Sequence, residues 1–247
     1  MQGSIKSMHK LEAKHLHKRI KKTHIITNIS MEVKSGEVVG LLGPNGAGKT
    51  TSFYIICGLL APTKGKVFFD NKDITKLSLH KRAHLGIGYL PQESSVFKDL
   101  SVEENLLIAA EACMSDKDEQ EERIETLLDT FNIKTIRNRK GINLSGGERR
   151  RVEIARALVK NPKFILLDEP FAGVDPIAVL DIQKVVKQLI ELKIGILITD
   201  HSVREMLNVC DRAYVINKGE LLACGTSNEI SKNELVKKYY LGENFQI

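Results

Sequence analysis

The distribution of apolar residues along the chain predicts strands that alternate with helices. The run EVVGLLG (37–43) is short, almost continuously apolar and ends in glycine, which is typical of a strand buried on both faces. A glycine-rich loop follows, and the apolar segment TTSFYIICGLL (50–60) then has the length of a helix that Pro62 ends. This order of strand, glycine loop and helix predicts the first half of a βαβ unit.

Other short apolar segments predict the remaining strands. They are KGKVFFDNKDI (64–74, a strand and a turn), IGYLPQ (87–92), KFILLD (163–168), GILITD (195–200) and the pair AYVIN and ELLACG around Lys218 and Gly219. Asp175 followed by Pro176 predicts the N-cap and first position of a helix that runs to about Leu192.

Helical periodicity dominates the middle of the chain, over residues 93–160. Ser101 and Glu104 have the spacing of a capping box ahead of the segment NLLIAAEACM. After Ser115, apolar residues recur at helical spacing at Ile124, Leu127, Leu128 and Phe131. We therefore predict an α/β fold in which parallel strands alternate with helices and a helical subdomain interrupts them.

Length and composition agree with this picture. A chain of 247 residues can form one large domain, or a core with a smaller subdomain. Apolar runs stay well below the roughly 18 residues needed to cross a bilayer, and the first 25 residues lack the hydrophobic stretch of a signal peptide. We therefore expect the chain to stay in the cytosol unless a partner holds it elsewhere.

Cysteine spacing favours free thiols. The four cysteines are far apart and form no C-x-x-C pair, which favours buried thiols in a reducing compartment over a metal site or a disulfide framework. They are Cys57, Cys113, Cys210 and Cys224.

The net charge of +6 lies in the N-terminal segment. Residues 1–24 contain seven Lys or Arg and one Glu, whereas the remaining 223 residues contain 30 positive and 30 negative side chains. A solvated, partly flexible leader explains this pattern better than a surface that binds duplex nucleic acid. Weak attraction to an anionic membrane is the alternative, since each basic residue near such a surface contributes about 1 kcal/mol.

The motif GPNGAGKTT (43–51), here called the phosphate loop, fits G-x-x-x-x-G-K-[ST] between a predicted strand and a predicted helix. Its glycines let backbone N–H groups cradle phosphates, while Lys49 reaches the β- and γ-phosphates and the Thr50 hydroxyl binds Mg²⁺. The alternative is a glycine-rich turn that binds nothing. The residues predicted to bind the nucleotide here are Gly43, Pro44, Asn45, Gly46, Ala47, Gly48, Lys49, Thr50 and Thr51.

Two carboxylates end the apolar run FILLDEP (164–170). Charges at the tip of a hydrophobic strand are costly unless a cation or water receives them. We therefore predict that Asp168 binds Mg²⁺ and that Glu169 is the general base that orients the attacking water. A surface turn after a strand is the alternative.

Gln92 and His201 each follow a predicted strand, at the sheet edge where doubly wound folds collect ligand-binding residues. Gln92 is a candidate for the metal or the attacking water, and His201 for the γ-phosphate. Taken singly, such a glutamine is usually a surface residue and such a histidine is usually structural.

The LSGGE segment (144–148) predicts a second anion-facing helix start. Ser145 and Glu148 form a capping box, and Gly146 and Gly147 permit close backbone approach. Because the segment has no lysine, we interpret it as a docking surface for an anion that another group holds. A capped helix without a ligand is the alternative.

The order of the phosphate loop, Gln92, LSGGE, FILLDEP, GVD and His201 resembles the nucleotide-binding subunit of ATP-binding cassette transporters over nearly the whole chain. The resemblance implies a P-loop NTPase core with a mainly parallel sheet, an N-terminal antiparallel β part, and a helical subdomain inserted before the signature motif. It implies a basic leader (1–10), a first RecA-like core part (11–92), a helical subdomain (93–160) and a second core part (161–247).

The same resemblance implies a homodimer that binds ATP and Mg²⁺. Two ATP molecules lie head to tail between the copies, and the phosphate loop of one copy faces Ser145, Gly147 and Glu148 of the other. Asp175 in FAGVDP links the two sites across the dimer, so hydrolysis depends on closure.

Longer segments are similar to the ATPases of lipopolysaccharide export in Gram-negative bacteria, with branched-chain amino-acid import ATPases as the nearest alternative. The segments GERRRVEIARAL and LGENF favour export. This similarity implies two integral membrane subunits that contact the surface near Phe97, and a peripheral location on the cytoplasmic face of the inner membrane. One departure is Ile20, at the place where the family usually stacks an aromatic residue on adenine, and His17 or His24 could substitute.

Two other classes of function fit the sequence less well. Soluble cassette ATPases that act on nucleic acid usually carry two cassettes or a long coiled-coil insert, and this chain carries one cassette with a short insert. Arg149, Arg150 and Arg151 do not form one basic stripe, because consecutive helical residues point about 100° apart; we expect a solvated or partner-facing surface. A nucleotide-binding scaffold without turnover is disfavoured by the presence of both Asp168 and Glu169.

Overall fold

One mixed sheet organises the protein. The computed structural model describes residues 8–174, 176–242 and 245. The strands of this part are β1 (Lys10–Ile20), β2 (Thr23–Lys34), β3 (Val38–Leu42), β4 (Lys64–Phe69), β5 (Lys72–Asp73), β6 (Ile87–Leu90), β7 (Phe164–Asp168), β8 (Gly195–Thr199), β9 (Arg212–Asn217) and β10 (Glu220–Thr226). They form a ten-stranded sheet in the order β5-β4-β1-β2-β10-β9-β3-β8-β7-β6.

Helices connect and cover the strands. They are α1 (Lys49–Cys57), α2 (Leu79–His84), α3 (Val102–Glu111), α4 (Lys117–Thr130), α5 (Gly146–Leu158), α6 (Pro176–Glu191), α7 (Val203–Val209), α8 (Ser227–Lys232) and α9 (Glu234–Val236). Short 3₁₀ turns lie at Lys134–Ile136 and Gly141–Asn143, and a π-helical turn lies at Lys237–Leu241. Among the described helices, none is both long enough and apolar enough to cross a bilayer.

The parallel part of the sheet confirms the prediction from apolar runs. β9, β3, β8, β7 and β6 are parallel neighbours, and every residue of β3, β7 and β8 is buried. Strands buried on both faces read as uninterrupted apolar runs, which is why the sequence revealed them. Since parallel strands end at the same edge, the segments after Leu42, Leu90, Asp168 and Thr199 all leave the sheet on one side.

The antiparallel part corrects one expectation. β1 pairs with β2 and β4, and its residues Leu11, Ala13 and Leu16 are buried. The expectation of a solvated leader over residues 1–24 is therefore wrong for Lys10–Ile20. Basic residues lie between the apolar residues of β1, so the segment lacks a continuous apolar run. A register shift between Ala13 and Leu16 also breaks the alternation of buried and exposed residues. Residues 1–7 lie outside the described residues.

The helices α3, α4 and α5 lie between β6 and β7, where the sequence predicts helices. The capping box of α3 is confirmed, because Ser101 Oγ accepts a hydrogen bond from Glu104 N–H at 3.1 Å and Glu104 Oε2 accepts from Ser101 N–H at 2.6 Å. The N-cap of α4 is Asp116, whose carboxylate accepts from Glu119 N–H at 3.0 Å. Apolar side chains of the three helices pack into the same core as β7 and β8.

The four cysteines are free thiols, as predicted. Cys57 and Cys210 are buried, Cys113 is half-buried and Cys224 is exposed. The expectation of buried thiols is therefore wrong for Cys224.

A buried guanidinium fastens the helix that follows the phosphate loop. Arg82 in α2 is 0% exposed and donates to the carbonyls of Ile55 and Ile56 at 2.8 and 2.6 Å, at the C-terminal end of α1. It also donates to the carbonyls of Leu77, Ile74 and Thr75. Burial lowers the pKa of Arg82 to about 10, so the group stays charged at neutral pH. The cation thus satisfies carbonyls at the negative end of the α1 dipole.

We predict that Arg82→Met lowers the free energy of unfolding by about 3 kcal/mol or more, because several buried carbonyls lose a charged donor. Urea denaturation followed by circular dichroism measures this loss. Lys81→Met, at the exposed neighbouring position, is the control and should change stability by less than about 0.5 kcal/mol. Equal small losses for both variants would show that the carbonyls do not depend on the guanidinium.

Candidate functional site

The phosphate loop leaves β3 and enters α1 with two close backbone contacts. Gly43 has φ +145°, and a Cβ there would lie 2.1 Å from the carbonyl oxygen of Ile216. Gly48 has φ +105°, and a Cβ there would lie 3.0 Å from the carbonyl oxygen of Ile25. Glycine is therefore required at both ends of the loop. The space around Gly46 is open, and the loop presents Asn45, Gly46 and Thr50 to solvent.

Lys49 closes the loop on itself. Its Nζ donates to the carbonyl oxygens of Gly43 at 2.7 Å and Pro44 at 3.1 Å, and the residue is 5% exposed. Burial lowers the pKa of Lys49, while the negative charge of Glu169 opposes that shift. A buried ammonium whose partners are neutral carbonyls is well suited to exchange them for an anion.

The turn between β9 and β10 supports the loop, which the sequence did not indicate. Gly219 N–H donates to the Ala47 carbonyl at 2.9 Å, and Thr27 Oγ1 donates to the Gly219 carbonyl at 3.1 Å. A Cβ on Gly219 would lie 2.6 Å from the Ile25 carbonyl oxygen. This turn therefore fixes the middle of the phosphate loop against β2.

Asp168 ends β7 and is 4% exposed. Burial raises the pKa of its carboxyl group, and hydrogen bonding from Tyr89 and Tyr54 opposes that shift. The Tyr89 hydroxyl donates to Asp168 Oδ2 at 3.3 Å. The sequence predicted the carboxylate but missed both tyrosines, because they come from β6 and α1.

Glu169 and His201 meet at the carboxyl ends of neighbouring strands. His201 Nε2 lies 2.8 Å from Glu169 Oε1. Glu169 has φ +45°, an uncommon backbone conformation for this residue type, and its N–H donates to the Thr199 carbonyl at 2.7 Å. The structure thus brings together the two side chains that the sequence placed after separate strands.

A second buried carboxylate braces this pair. Asp200 is 0% exposed; its Oδ2 accepts from Phe171 N–H at 2.7 Å and its Oδ1 accepts from Ser202 N–H at 2.8 Å. It therefore fixes the backbone on both sides of the Glu169 and His201 contact. The sequence signal was available, since Asp200 ends the apolar run GILITD.

The LSGGE segment begins α5, as predicted. Ser145 Oγ accepts from Glu148 N–H at 3.3 Å, and Glu148 Oε2 accepts from Ser145 N–H at 2.9 Å. Arg139 adds an ion pair of 2.8 Å to Glu148, whose pKa is lowered mainly by the hydrogen bond from the Ser145 backbone. Ser145 and Gly146 are exposed, so this helix start is open to solvent.

One cavity of about 260 Å³ joins several of the predicted site residues. Gln92, Gly146, Gly147 and Glu169 all line it. The phosphate loop and the LSGGE segment do not meet in the same way: among hydrogen bonds of the described residues, none connects residues 43–51 with residues 145–148. The starts of α1 and α5 therefore share no hydrogen bond within the described part of the chain.

The three arginines after LSGGE correct another expectation. Arg149 donates to the Leu144 carbonyl at 3.0 Å, Arg150 pairs with Glu153 at 3.0 Å, and Arg151 pairs with Asp181 at 3.4 Å. The side chains of Arg150 and Arg151 are 13% and 26% exposed. A solvated surface is therefore the wrong interpretation for these two residues: Arg150 pairs with a residue of its own helix, and Arg151 joins α5 to α6.

Glu153 is a further residue that the sequence did not single out. It is 5% exposed and accepts hydrogen bonds from Ser94 Oγ at 2.7 Å and Ser95 N–H at 2.8 Å. These contacts tie the segment after Gln92 to α5. An acidic residue on the buried face of an amphipathic helix was the available signal.

A groove, here called the α3 groove, lies beside Phe97. Its volume is about 350 Å³, and it is lined by Tyr89, Leu90, Ser95, Phe97, Ile108, Ala109, Ala112, Glu153, Arg156 and Ala157. Phe97 and Ile108 are 48% and 41% exposed, and the Arg156 guanidinium lies 5.2 Å from the Phe97 ring centre. Asn105 is buried and holds the Phe97 backbone by accepting from its N–H at 2.9 Å and donating to its carbonyl at 3.1 Å.

Two other predictions fall at the periphery of the site. Ile20 ends β1 and is 48% exposed. Asp175 lies outside the described residues.

The donor types of the three residues that the sequence predicts as metal ligands fit a hard cation. Thr50, Gln92 and Asp168 offer hydroxyl, carboxamide and carboxylate oxygens, the ligand types that Mg²⁺ prefers. Within the described part of the chain, no three His, Cys, Asp or Glu side chains cluster as a metal site. Mg²⁺ sites commonly take one or two carboxylates and complete the shell with phosphate oxygens and water.

Comparison with known proteins gives a consistent result. The family model described as ABC transporter matches residues 26–172. The lipopolysaccharide export system ATP-binding protein LptB of Escherichia coli (strain K12) is 53% identical over 238 residues, covering 96% of this chain and 99% of that protein.

Solved structures agree with the sequence relatives. The crystal structure of the ADP conformation of an ATP-binding cassette of an ABC transporter matches with a TM-score of 0.83 and 32% identity, covering 96% of this chain and all of that one. The dimeric structure of a post-hydrolysis state of an ATP-binding cassette bound to ADP and Pi matches with a TM-score of 0.73 and 27% identity, covering 88% and 98%.

Proposed function

The chain belongs to the ABC transporter family, and on that premise we propose that it is the ATP-hydrolysing subunit of a transporter that exports lipopolysaccharide. The observation that carries the choice of cargo is the 53% identity to a lipopolysaccharide export ATPase over 99% of that protein's length. The phosphate loop, Asp168 and Glu169 supply the groups that ATP hydrolysis needs.

In the proposed reaction the phosphate loop holds ATP. Lys49 Nζ exchanges the Gly43 and Pro44 carbonyls, now at 2.7 and 3.1 Å, for the β- and γ-phosphates. Thr50, Gln92 and Asp168 are the proposed ligands of Mg²⁺, which when bound neutralises charge on the phosphates.

Glu169 is the proposed general base. Its carboxylate orients the attacking water and accepts a proton from it. His201, which lies 2.8 Å from Glu169, is the proposed contact of the γ-phosphate. In this proposal the γ-phosphate and Glu169 compete for the imidazole of His201. Binding of ATP therefore frees the Glu169 carboxylate from His201, so that it can act as the base.

We further propose that two copies assemble around two ATP molecules. The exposed start of α5 offers Ser145, Gly146, Gly147 and Glu148 as a surface for a phosphate that another copy holds. A related ATP-binding cassette bound to ADP and Pi has a dimeric structure. Asp175 is the proposed link between the two sites of the dimer.

The α3 groove is the proposed contact for the two membrane subunits. Its exposed Phe97 and Ile108 offer an apolar surface beside the Arg156 cation, which suits an amphipathic helix end of a partner. Through these subunits the protein would lie on the cytoplasmic face of the inner membrane.

We predict that Glu169→Gln reduces ATP turnover by about 100-fold or more, because the water loses its base while the charge change leaves the phosphate loop intact. ATP binding persists and dimers accumulate with ATP. Phosphate release and size-exclusion chromatography with light scattering measure the two effects. Glu121→Gln, at an exposed position of α4, is the matched control. Rapid turnover by Glu169→Gln would remove Glu169 from its proposed role.

A second prediction concerns the shared site. Lys49→Ala subunits and Ser145→Ala subunits are each inactive alone, and mixing them forms one competent site per mixed dimer, from Lys49 of one copy and Ser145 of the other. ATP turnover after mixing should therefore recover partly, to at most the activity of one site per dimer. Full activity of either variant alone would contradict the shared site, and exchange of differently tagged wild-type subunits controls for mixing.

A third prediction concerns the membrane partners. A gentle detergent pull-down with the wild-type protein should recover two integral membrane subunits. Lipopolysaccharide should stimulate ATP turnover by the recovered complex. Phe97→Asp should lose them, because an unpaired carboxylate in an apolar contact costs several kcal/mol, while turnover by the isolated chain is retained. Leu192→Asp, at an exposed apolar residue after α6, is the control. Recovery of amino-acid import subunits, or of no membrane subunits, would contradict the export assignment.

A further inference from the structure

Two phenols converge on the carboxylate that ends β7. The Tyr89 hydroxyl donates to Asp168 Oδ2 at 3.3 Å. Tyr54 lies near the same carboxylate and favours its charged form, which lowers the pKa of Asp168. Phe53 packs against both tyrosines, with its ring centre 6.5 Å from that of Tyr54 and 6.3 Å from that of Tyr89. The rings therefore have a packed support that fixes where the two hydroxyls point.

Tyr54, Tyr89 and Asp168 come from three different elements around the proposed nucleotide site. Tyr54 lies in α1, which starts at Lys49, and Tyr89 lies in β6, three residues before Gln92. β6 is paired with β7 through Tyr89 and Leu166, so the backbone beneath the contact is fixed by the sheet. The phosphate-loop helix and the strand that leads to Gln92 are thus both tied to Asp168.

Both phenols remain donors. A tyrosine hydroxyl is ordinarily protonated at neutral pH and can therefore donate to a carboxylate. A carboxylate at 4% exposure needs such donors, because a buried charge without partners is expensive. Hydrogen bonds to the charged form hold the carboxylate in one orientation.

We infer that Tyr54 and Tyr89 are positioning residues that hold the Asp168 carboxylate in place for a divalent cation. The inference rests on the proposed Mg²⁺ site and assigns to the two phenols no contact with the ion. The Tyr89 hydrogen bond occupies Asp168 Oδ2 and the neighbouring Tyr54 restricts the same carboxylate, so a cation meets a ligand that is already fixed. Tyr89 also lines the α3 groove, so the same residue touches the surface proposed for the partner.

The test measures how strongly Mg²⁺ aids ATP binding, in the hydrolysis-deficient Glu169→Gln background. Calorimetry gives the ATP dissociation constant with Mg²⁺ and with EDTA, and the ratio of the two reports the contribution of the cation. We expect Tyr54→Phe with Tyr89→Phe to reduce that ratio about tenfold, because hydrogen bonds to a charged group are lost, while the constant in EDTA is unchanged. Tyr89→Phe alone should have the larger single effect.

A second readout uses chains with Glu169 present. The Mg²⁺ concentration for half-maximal hydrolysis should rise about tenfold in the double variant, while kcat at saturating Mg²⁺ stays within about twofold. Tyr214→Phe is the matched control, since its hydroxyl binds the Glu32 N–H and Arg212 on the antiparallel side of the sheet. Asp168→Asn sets the result expected for complete loss of the carboxylate.

Several results would overturn the inference. An unchanged ratio shows that the carboxylate is held without the phenols, and a larger ratio shows that the phenols compete with the cation. An equal loss of ATP affinity in EDTA shows a structural role in the site as a whole. If the parent protein shows no Mg²⁺ effect, the proposed metal site itself is wrong, which the parent measurement distinguishes before any tyrosine is changed.

Discussion

The structure depends on placing charges at the carboxyl ends of strands that are buried on both faces. Lys49, Asp168 and Asp200 are each at most 5% exposed. Asp168 is the last residue of β7, Asp200 directly follows β8, and Lys49 follows the loop after β3. An unpaired charge in such a place would destabilise the fold by several kcal/mol. Each one has partners within the chain: loop carbonyls for Lys49, the Tyr89 phenol for Asp168 and backbone N–H groups for Asp200. The apolar sheet is compatible with a polar edge because of these contacts.

The same constraint explains what the sequence could predict. Local patterns specify the phosphate loop, the carboxylates after FILL and the capping boxes at Ser101 and Ser145, because each is made by residues close together in the chain. The resemblance to ATP-binding cassette transporters is confirmed by the family match and by a relative that is 53% identical. The family resemblance implied the N-terminal antiparallel part, but the apolar pattern missed β1, because its buried residues alternate irregularly among lysines and histidines and its pairing with β4 joins residues about fifty positions apart.

The partners of several charged side chains could not be predicted from the sequence, because they lie in other helices or strands. The i, i+3 spacing of Arg150 and Glu153 was visible in the sequence, but the pairing of Arg151 with Asp181 was not, because Asp181 lies in another helix. The tyrosines beside Asp168 could not be predicted either, since Tyr54 and Tyr89 reach it from α1 and β6. Spacing predicts which side chains carry chemistry, but the contacts that orient them are formed between elements distant in the chain.

Two residues, Glu153 and Tyr89, contact both the α3 groove and the strand ends near Asp168 and Glu169, here called the nucleotide edge. Glu153 lines both the groove and the cavity that contains Gln92 and Glu169, and its carboxylate holds Ser94, Ser95 and Arg150. Tyr89 lines the groove and donates to Asp168. A partner that displaces the segment after Gln92 must therefore change contacts that also belong to the nucleotide edge. Because the Glu153 carboxylate is buried, displacing this segment would leave a charge without its partners, at a cost of several kcal/mol.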